Sequence, residues 1–208
     1  SPISILARAP NVLVVHPSLP VKNVKDLIVL AKARPGELNY STGPSGGTPH
    51  LAGELFKIMA EVSIVHIPYK GGQPAIVGVI SGQEQLSFNT AVGVAPHVNS
   101  GRLRALAVTS ITPSALVPGL PTVAASGLAG YEIIAVDFML APVKRLANVI
   151  SRLNQEIVRF LNLSEVKEKF LSTGVEAAAS SPEELAASMK SEIAKVGKLI
   201  KDAGISIE

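Results

Sequence analysis

A chain of 208 residues, 47% of them apolar and only 4% aromatic, is long enough to bury a core in one or two modest α/β domains. Its 19 basic and 16 acidic side chains leave a formal charge of +3, spread without a basic run or interleaved aromatics. That pattern argues against a nucleic-acid partner, while the mild positive balance suits the approach of a small anion. There is no cysteine, which excludes disulfides, thiolate nucleophiles and sulfur-based zinc sites, and apolar runs such as Val12 to Val15 are too short to span a bilayer.

The chain begins Ser-Pro-Ile-Ser, without an initiator Met or the basic and apolar regions of a secretion signal, so any such signal is expected to lie outside it. Residues 3–7 and 11–16 read as two buried strands separated by Arg8-Ala9-Pro10. Asn23, with Asp26 three residues on, predicts a helix to about residue 33 that Pro35-Gly36 ends. A short strand (37–42), a glycine-rich turn (43–49) and a helix (50–60) follow. The same unit then repeats as strand 63–68, the loop Tyr69-Lys70-Gly71-Gly72 and a helix over about 74–81 with Pro74 in its first turn.

Strands at 85–88 and 103–109 flank a helical stretch at 92–100, and 112–121 is a proline-punctuated loop. This alternation predicts a mostly parallel sheet. Beyond Tyr131 the texture changes to a strand (132–141), a helix (148–161), a helix capped by Ser164, a strand (175–178) and a long last helix. Ser181-Pro182-Glu183-Glu184 opens that helix as a capping box. Leu185, Met189, Ile193, Val196 and Ile200 lay one stripe of it on a core, and Lys190, Glu192 and Lys198 face solvent. Two strands are too few for a separate sheet, so this third of the chain needs strands from elsewhere.

Gly43-Pro44-Ser45-Gly46-Gly47 fits the G-x-S-x-G turn of serine hydrolases, but Ser45 comes early, and Glu84 with His97 is the best triad that remains. The loop lacks the Lys-Ser/Thr ending of a phosphate-binding loop. What it offers is a row of small donors, Ser41, Thr42, Ser45, Gly46, Gly47 and Thr48, at a helix start, a receptor for a carboxylate or else a plain turn and cap. Tyr69, Lys70, Gly71 and Gly72 add a phenol, an ammonium and two unencumbered amides at the same expected sheet end. Taken singly, Lys70 reads as a solvated charge and Tyr69 as a packed ring. His50 and His66 read as structural, since no pair of histidines has metal-binding spacing; neither a metal nor a cofactor is expected. Asp137, within the apolar stretch 133–140, should lie at a cleft or pair with a base.

The segments Ala7-Arg8-Ala9-Pro10-Asn11-Val12-Leu13-Val14-Val15, Gly46-Gly47-Thr48-Pro49-His50-Leu51-Ala52-Gly53-Glu54-Leu55-Phe56 and His66-Ile67-Pro68-Tyr69-Lys70-Gly71, then Leu103-Arg104-Ala105-Leu106-Ala107-Val108-Thr109 and Leu120-Pro121-Thr122-Val123, resemble in order the substrate receptors of tripartite tricarboxylate transporters, the Bug or TctC-like periplasmic proteins. The resemblance implies an α/β, type II periplasmic binding-protein fold, a Venus flytrap with one complete lobe and the C-terminal part of the other. Residues 1–8 would be a crossing strand from domain 1, 9–131 a complete domain 2, and 132–208 the helix-rich C-terminal part of domain 1. It implies a non-enzymatic periplasmic receptor that captures a small carboxylate (dicarboxylate, tricarboxylate, amino acid or aromatic acid) and presents it to membrane transporter subunits.

The ligand-binding set expected on that reading is Thr42, Ser45, Gly46, Gly47, Thr48, Tyr69, Lys70, Gly71, Asn89 and Asp137. The family's usual first hundred or so residues have no counterpart here, so exposed apolar surface, domain-swapped or homodimeric association, or a nonfunctional remnant of a truncated receptor are further expectations. Asn89 stands where the family often has Asp, Asp137 where an aromatic residue is common, and 142–146 lacks the usual glycine.

Overall fold

The structure, a computed structural model, describes residues 1–205. Its elements are β1 (Pro2–Val15), α1 (Val24–Ala33), β2 (Asn39–Thr42), α2 (Thr48–Ala60), β3 (Val65–Pro68), α3 (Gly72–Ile80), β4 (Leu86–Thr90), α4 (Ala91–Asn99), β5 (Arg104–Val108), β6 (Ile134–Leu140), α5 (Ala147–Leu161), α6 (Ser164–Ser172), β7 (Glu176–Ala177) and α7 (Pro182–Asp202). The described chain divides into two compact units, one of residues 1–9 and 135–198, the other of 10–134 and 199–205.

The two strands expected at the start are one strand of 14 residues. Pro10 does not break it because β1 changes partners there. Its ladder to β7 ends at Arg8, and those to β4 and β5 begin at Asn11 and Val12, so the missing N–H falls between them. The sheet is mixed where mostly parallel was expected. In the order β3-β2-β4-β1-β5, β2 runs parallel to β3 and β4, whereas β1 is antiparallel to both its neighbours. α1 connects β1 to β2, but the two strands are not neighbours, and β1 lies between β4 and β5 and runs against both.

In the larger unit the alternation of β1 sends Val12 and Val14 to one face, where Ile76 and Val79 of α3 and Ala91 and Val94 of α4 cover them. Leu13 and its partner Phe88 face the other way, toward Phe56 of α2 at 6.0 Å between rings. Full burial of side chains of this size stabilises by about 1.5–3 kcal/mol each. Asn23 caps α1 as expected, its Oδ1 accepting from Asp26 N at 2.9 Å.

In the smaller unit β6 and β7 both pair with the first half of β1, which supplies the strand they lacked. Ser4 and Ser180 lock this arrangement: Ser4 Oγ donates to Ser180 O at 3.0 Å and Ser180 Oγ accepts from Ile5 N at 3.0 Å. Asn154 of α5 adds two donations at 2.8 Å, to Ile3 O and Ser180 O. Asn154→Ala removes both donations, leaving Ser180 O with Ser4 Oγ alone, and should cost about 2 kcal/mol, read as a lower urea midpoint at unchanged slope.

The capping box of α7 is reciprocal, Ser181 N to Glu184 Oε2 at 2.8 Å and Glu184 N to Ser181 Oγ at 3.1 Å. Two local expectations give way. Ser164 is the first residue of α6, and the cap position is Leu163, which makes no side-chain cap bond. The α7 stripe runs through Leu185 and Leu199, which are buried, while Ile193 is 70% exposed. Apolar side chains also stand in solvent on and after β6 and along α5, among them Phe138, Val143, Leu146 and Phe160. No described helix is long and apolar enough to cross a membrane.

Candidate functional site

Three parallel strands of the larger unit end together. Thr42 of β2 stands opposite Pro68 of β3, and Ser41 opposite Ser87 of β4. The loops leaving these strands therefore emerge at one edge of the sheet, the place where α/β folds seat ligands. They touch: a Cβ on Gly43 would lie 3.5 Å from the carbonyl carbon of Gly71 and from the nitrogen of Gly72. Asn89 clamps the third strand to them, its Nδ2 donating to Gly72 O at 2.9 Å and its Oδ1 accepting from Thr90 N at 2.9 Å.

Helices α2, α3 and α4 start from these loops with Gly47, Gly71 and Thr90 as their N-caps. None of the three is capped by a side chain, and none has an acidic residue in its first turn. Their first N–H groups have no intrahelical acceptor, and the helix dipoles add partial positive charge at the same edge. Ser45 and Gly47 are exposed, Gly46 and Thr48 half-buried. Gly46 has φ 82, which glycine adopts without the steric penalty a Cβ brings. Lys70 is exposed and forms no salt bridge among the described residues.

The side chains of Thr42 and Tyr69 are engaged by neighbouring groups. The Thr42 side chain is buried and directed inward, its Oγ1 2.7 Å from His66 Nε2 and donating to Gly43 O at 3.0 Å. It shapes the loop and offers no free hydroxyl. Tyr69 joins the edge through its backbone, its N donating to Thr42 O at 2.9 Å. Its hydroxyl instead donates to Glu84 Oε1 at 2.9 Å, beside Gly78 well inside α3, and burial followed by that carboxylate raises the pKa of the phenol. Asp137 is exposed on β6, a strand of the smaller unit, and forms no salt bridge among the described residues.

Beneath the loops lies a buried polar cluster that the sequence reading took as merely structural histidines. Tyr40 Oη donates to Glu54 Oε1 at 2.5 Å, Lys57 Nζ reaches both Glu54 oxygens at 2.8 Å, and the His50 and His66 rings stack 4.1 Å apart. His50 Nδ1 accepts from Gly46 N at 3.0 Å. Burial holds His66 down to about pKa 4 and lowers His50 as well; Lys57 adds to both effects and Glu54 opposes them. Asn11, also missed, stands opposite Thr90 at the same sheet edge, with its Nδ2 buried and unpartnered. Its one sequence signal is a lone amide heading the apolar run from Val12 to Val15.

The hydrolase arrangement is not assembled. Ser45 makes no hydrogen bond to a histidine among the described residues, Glu84 is bonded to Tyr69, and His97 Nδ1 has no partner. Nor, among the described residues, does any group of His, Asp and Glu have the makings of a metal site.

The sequence profile described as the Tripartite tricarboxylate transporter family receptor matches residues 1–205. The chain is 32% identical over 200 residues to the UPF0065 protein in the tcbD-tcbE intergenic region of Pseudomonas sp. strain P51, covering 96% of this chain and 60% of that protein. It is 30% identical to Protein BugT of Bordetella pertussis, covering 100% of this chain and 64% of that one. The chain thus spans 60–64% of the length of these two curated relatives. Among solved structures it superposes on R. palustris Rpa4515 with adipate at a TM-score of 0.82 and 35% identity, over 99% of this chain and 69% of that one. On the periplasmic binding protein BugD the TM-score is 0.77 at 26% identity, over 100% and 70% of the two chains.

Proposed function

Because this chain belongs to the tripartite tricarboxylate transporter family of receptors, we propose that it is the ligand-capturing part of a periplasmic receptor that binds a small carboxylate and passes it to the membrane subunits of such a transporter. The observation that carries this reading is the meeting of three uncapped helix N-termini, free of acidic residues in their first turns, at one sheet edge. Oriented N–H donors held ready without a counter-charge match a carboxylate and need no proton transfer.

The ligand's carboxylate would be held by Ser45, Gly46, Gly47 and Thr48, with the backbone of Tyr69, Lys70 and Gly71 beside it, Lys70 giving the charge and Asn89 fixing the spacing of the loops. Thr42 acts by shaping the first loop. We carry over the division into a crossing strand (1–8), a complete lobe (9–131) and part of a second lobe (132–208), with Asp137 as that lobe's contribution. The relative solved with adipate, at 35% identity, makes a linear dicarboxylate the first candidate.

A thermal titration with adipate, succinate, malate, citrate, glutamate, nicotinate and benzoate tests this. Saturation at a hundred times Kd stabilises by about 2.7 kcal/mol, or roughly 5–10 °C for a chain of this size. Ser45→Ala, which removes one donor to a charged acceptor, should weaken the successful acid about ten-fold. Flat melting curves with every acid at millimolar concentration would sink the reading.

A further inference from the structure

The two stacked histidines reach the ends of the first binding loop from below. His50, on α2, accepts from the Gly46 amide at 3.0 Å through Nδ1. A backbone N–H can only donate, so this bond requires His50 Nδ1 to be bare and the ring's single proton to sit on Nε2, the nitrogen 3.8 Å from Glu54 Oε1. His66, on β3, meets the other end. Its Nε2 lies 2.7 Å from Thr42 Oγ1, and the tautomer of the neutral ring sets which of the two donates.

We propose that His50 and His66 are positioning residues for the Thr42–Thr48 loop, and that the His50 tether makes the loop's shape depend on protonation. The two ends respond differently to a proton. A charged His66 donates from Nε2 to Thr42. A charged His50 carries hydrogen on Nδ1 and turns a donor toward the Gly46 N–H, so the bond is lost and the amide is released. Glu54 and Lys57 of α2, Tyr40 of β2 and the partner ring are the titratable and charged groups that face the pair. Burial disfavours the proton on His50 most, Glu54 favours it and Lys57 disfavours it, with a net lowering that places the release on the acid side of the ordinary histidine range.

The functional meaning rests on reading this loop as the ligand seat, but the test does not. In the uniformly 15N-labelled chain, long-range imidazole spectra report the His50 tautomer, and the Gly46 amide is followed by shift and hydrogen exchange from pH 7.5 downward. The expected result is a bare Nδ1 at pH 7.5, with a Gly46 shift and a five- to ten-fold loss of exchange protection that follow the His50 titration. A proton on Nδ1 at pH 7.5, or a Gly46 amide indifferent to that titration, overturns the proposal.

His50→Phe keeps a ring to stack on His66 and removes the acceptor. Gly46 should then be unprotected at every pH, and unchanged protection would again overturn the tether. Adipate affinity, measured by calorimetry in both forms, separates the two readings. A pH step present in the wild type and absent from His50→Phe supports the link to binding. No adipate binding in either form counts against the proposed ligand class, while the amide measurements still decide the tether.

Discussion

Gly53→Ala should lower the melting temperature by roughly 4–8 °C, corresponding to about 2 kcal/mol, even though alanine is the better helix former. A Cβ at Gly53 would overlap the Tyr40 ring, lying 2.6 Å from Cζ and 2.9 Å from Cδ2. That ring cannot give way. It is fully buried, its hydroxyl is held by Glu54 at 2.5 Å, His66 lies 4.9 Å away and Phe88 sets an edge against it at 6.2 Å. Overpacking a fixed core site costs typically 1–3 kcal/mol or more, which exceeds the gain of up to about 1 kcal/mol in helix propensity. Gly197, in α7, is the control, because a Cβ there meets nothing within 4 Å. Gly197→Ala should therefore stabilise by up to about 1 kcal/mol. Paired melting curves should move in opposite directions, and a shift of the same sign in both variants would refute the steric account.

Acid should weaken the fold through His66 before most carboxylates titrate. The unfolded chain takes up this proton near the ordinary histidine pKa of about 6.5, whereas the folded protein resists it down to about 4, chiefly through burial and then through the neighbouring His50. Between those values the unfolded state binds more protons, so stability falls as pH is lowered through that window and is level above it. The full difference is on the order of 3 kcal/mol; the half-buried ring trims this to roughly 2. His50, depressed in the same direction, adds to the effect. Urea midpoints at several pH values in the wild type and in His66→Gln isolate it, since the carboxylates contribute equally to both. Parallel pH curves for the two proteins would show that His66 is not the group responsible.

Features set within a few residues were legible in the sequence. The Asn23 cap, the Ser181–Glu184 box and the two strand-loop-helix units all stand as read, and the juxtaposition of the Gly43 and Gly71 loops follows from the units repeating in parallel. What could not be read was set by contacts remote in sequence. Pro10 signals a break wherever a strand needs its N–H, and only the exchange of partners along β1 removes that need. The side chain of Tyr69 runs along α3 because Gly78 leaves room and Glu84 supplies an acceptor. The stacking of His50 on His66 requires the register that sets Tyr40 opposite His66. Two histidines 16 residues apart reveal none of this in the sequence.

The partner exchange along β1 also governs how fast the chain can reach this state. One strand must find Leu86–Thr90 and Arg104–Val108 on one stretch and Glu176–Ala177 on another, and Ser4 closes onto Ser180, 176 residues away. Loops of that length have to close before any of these pairings contributes, so folding belongs in the slow, millisecond-to-second range of non-local topologies. Until they close, the run from Val12 to Val15 has no cover on either face, which makes it the segment most open to intermolecular pairing during refolding.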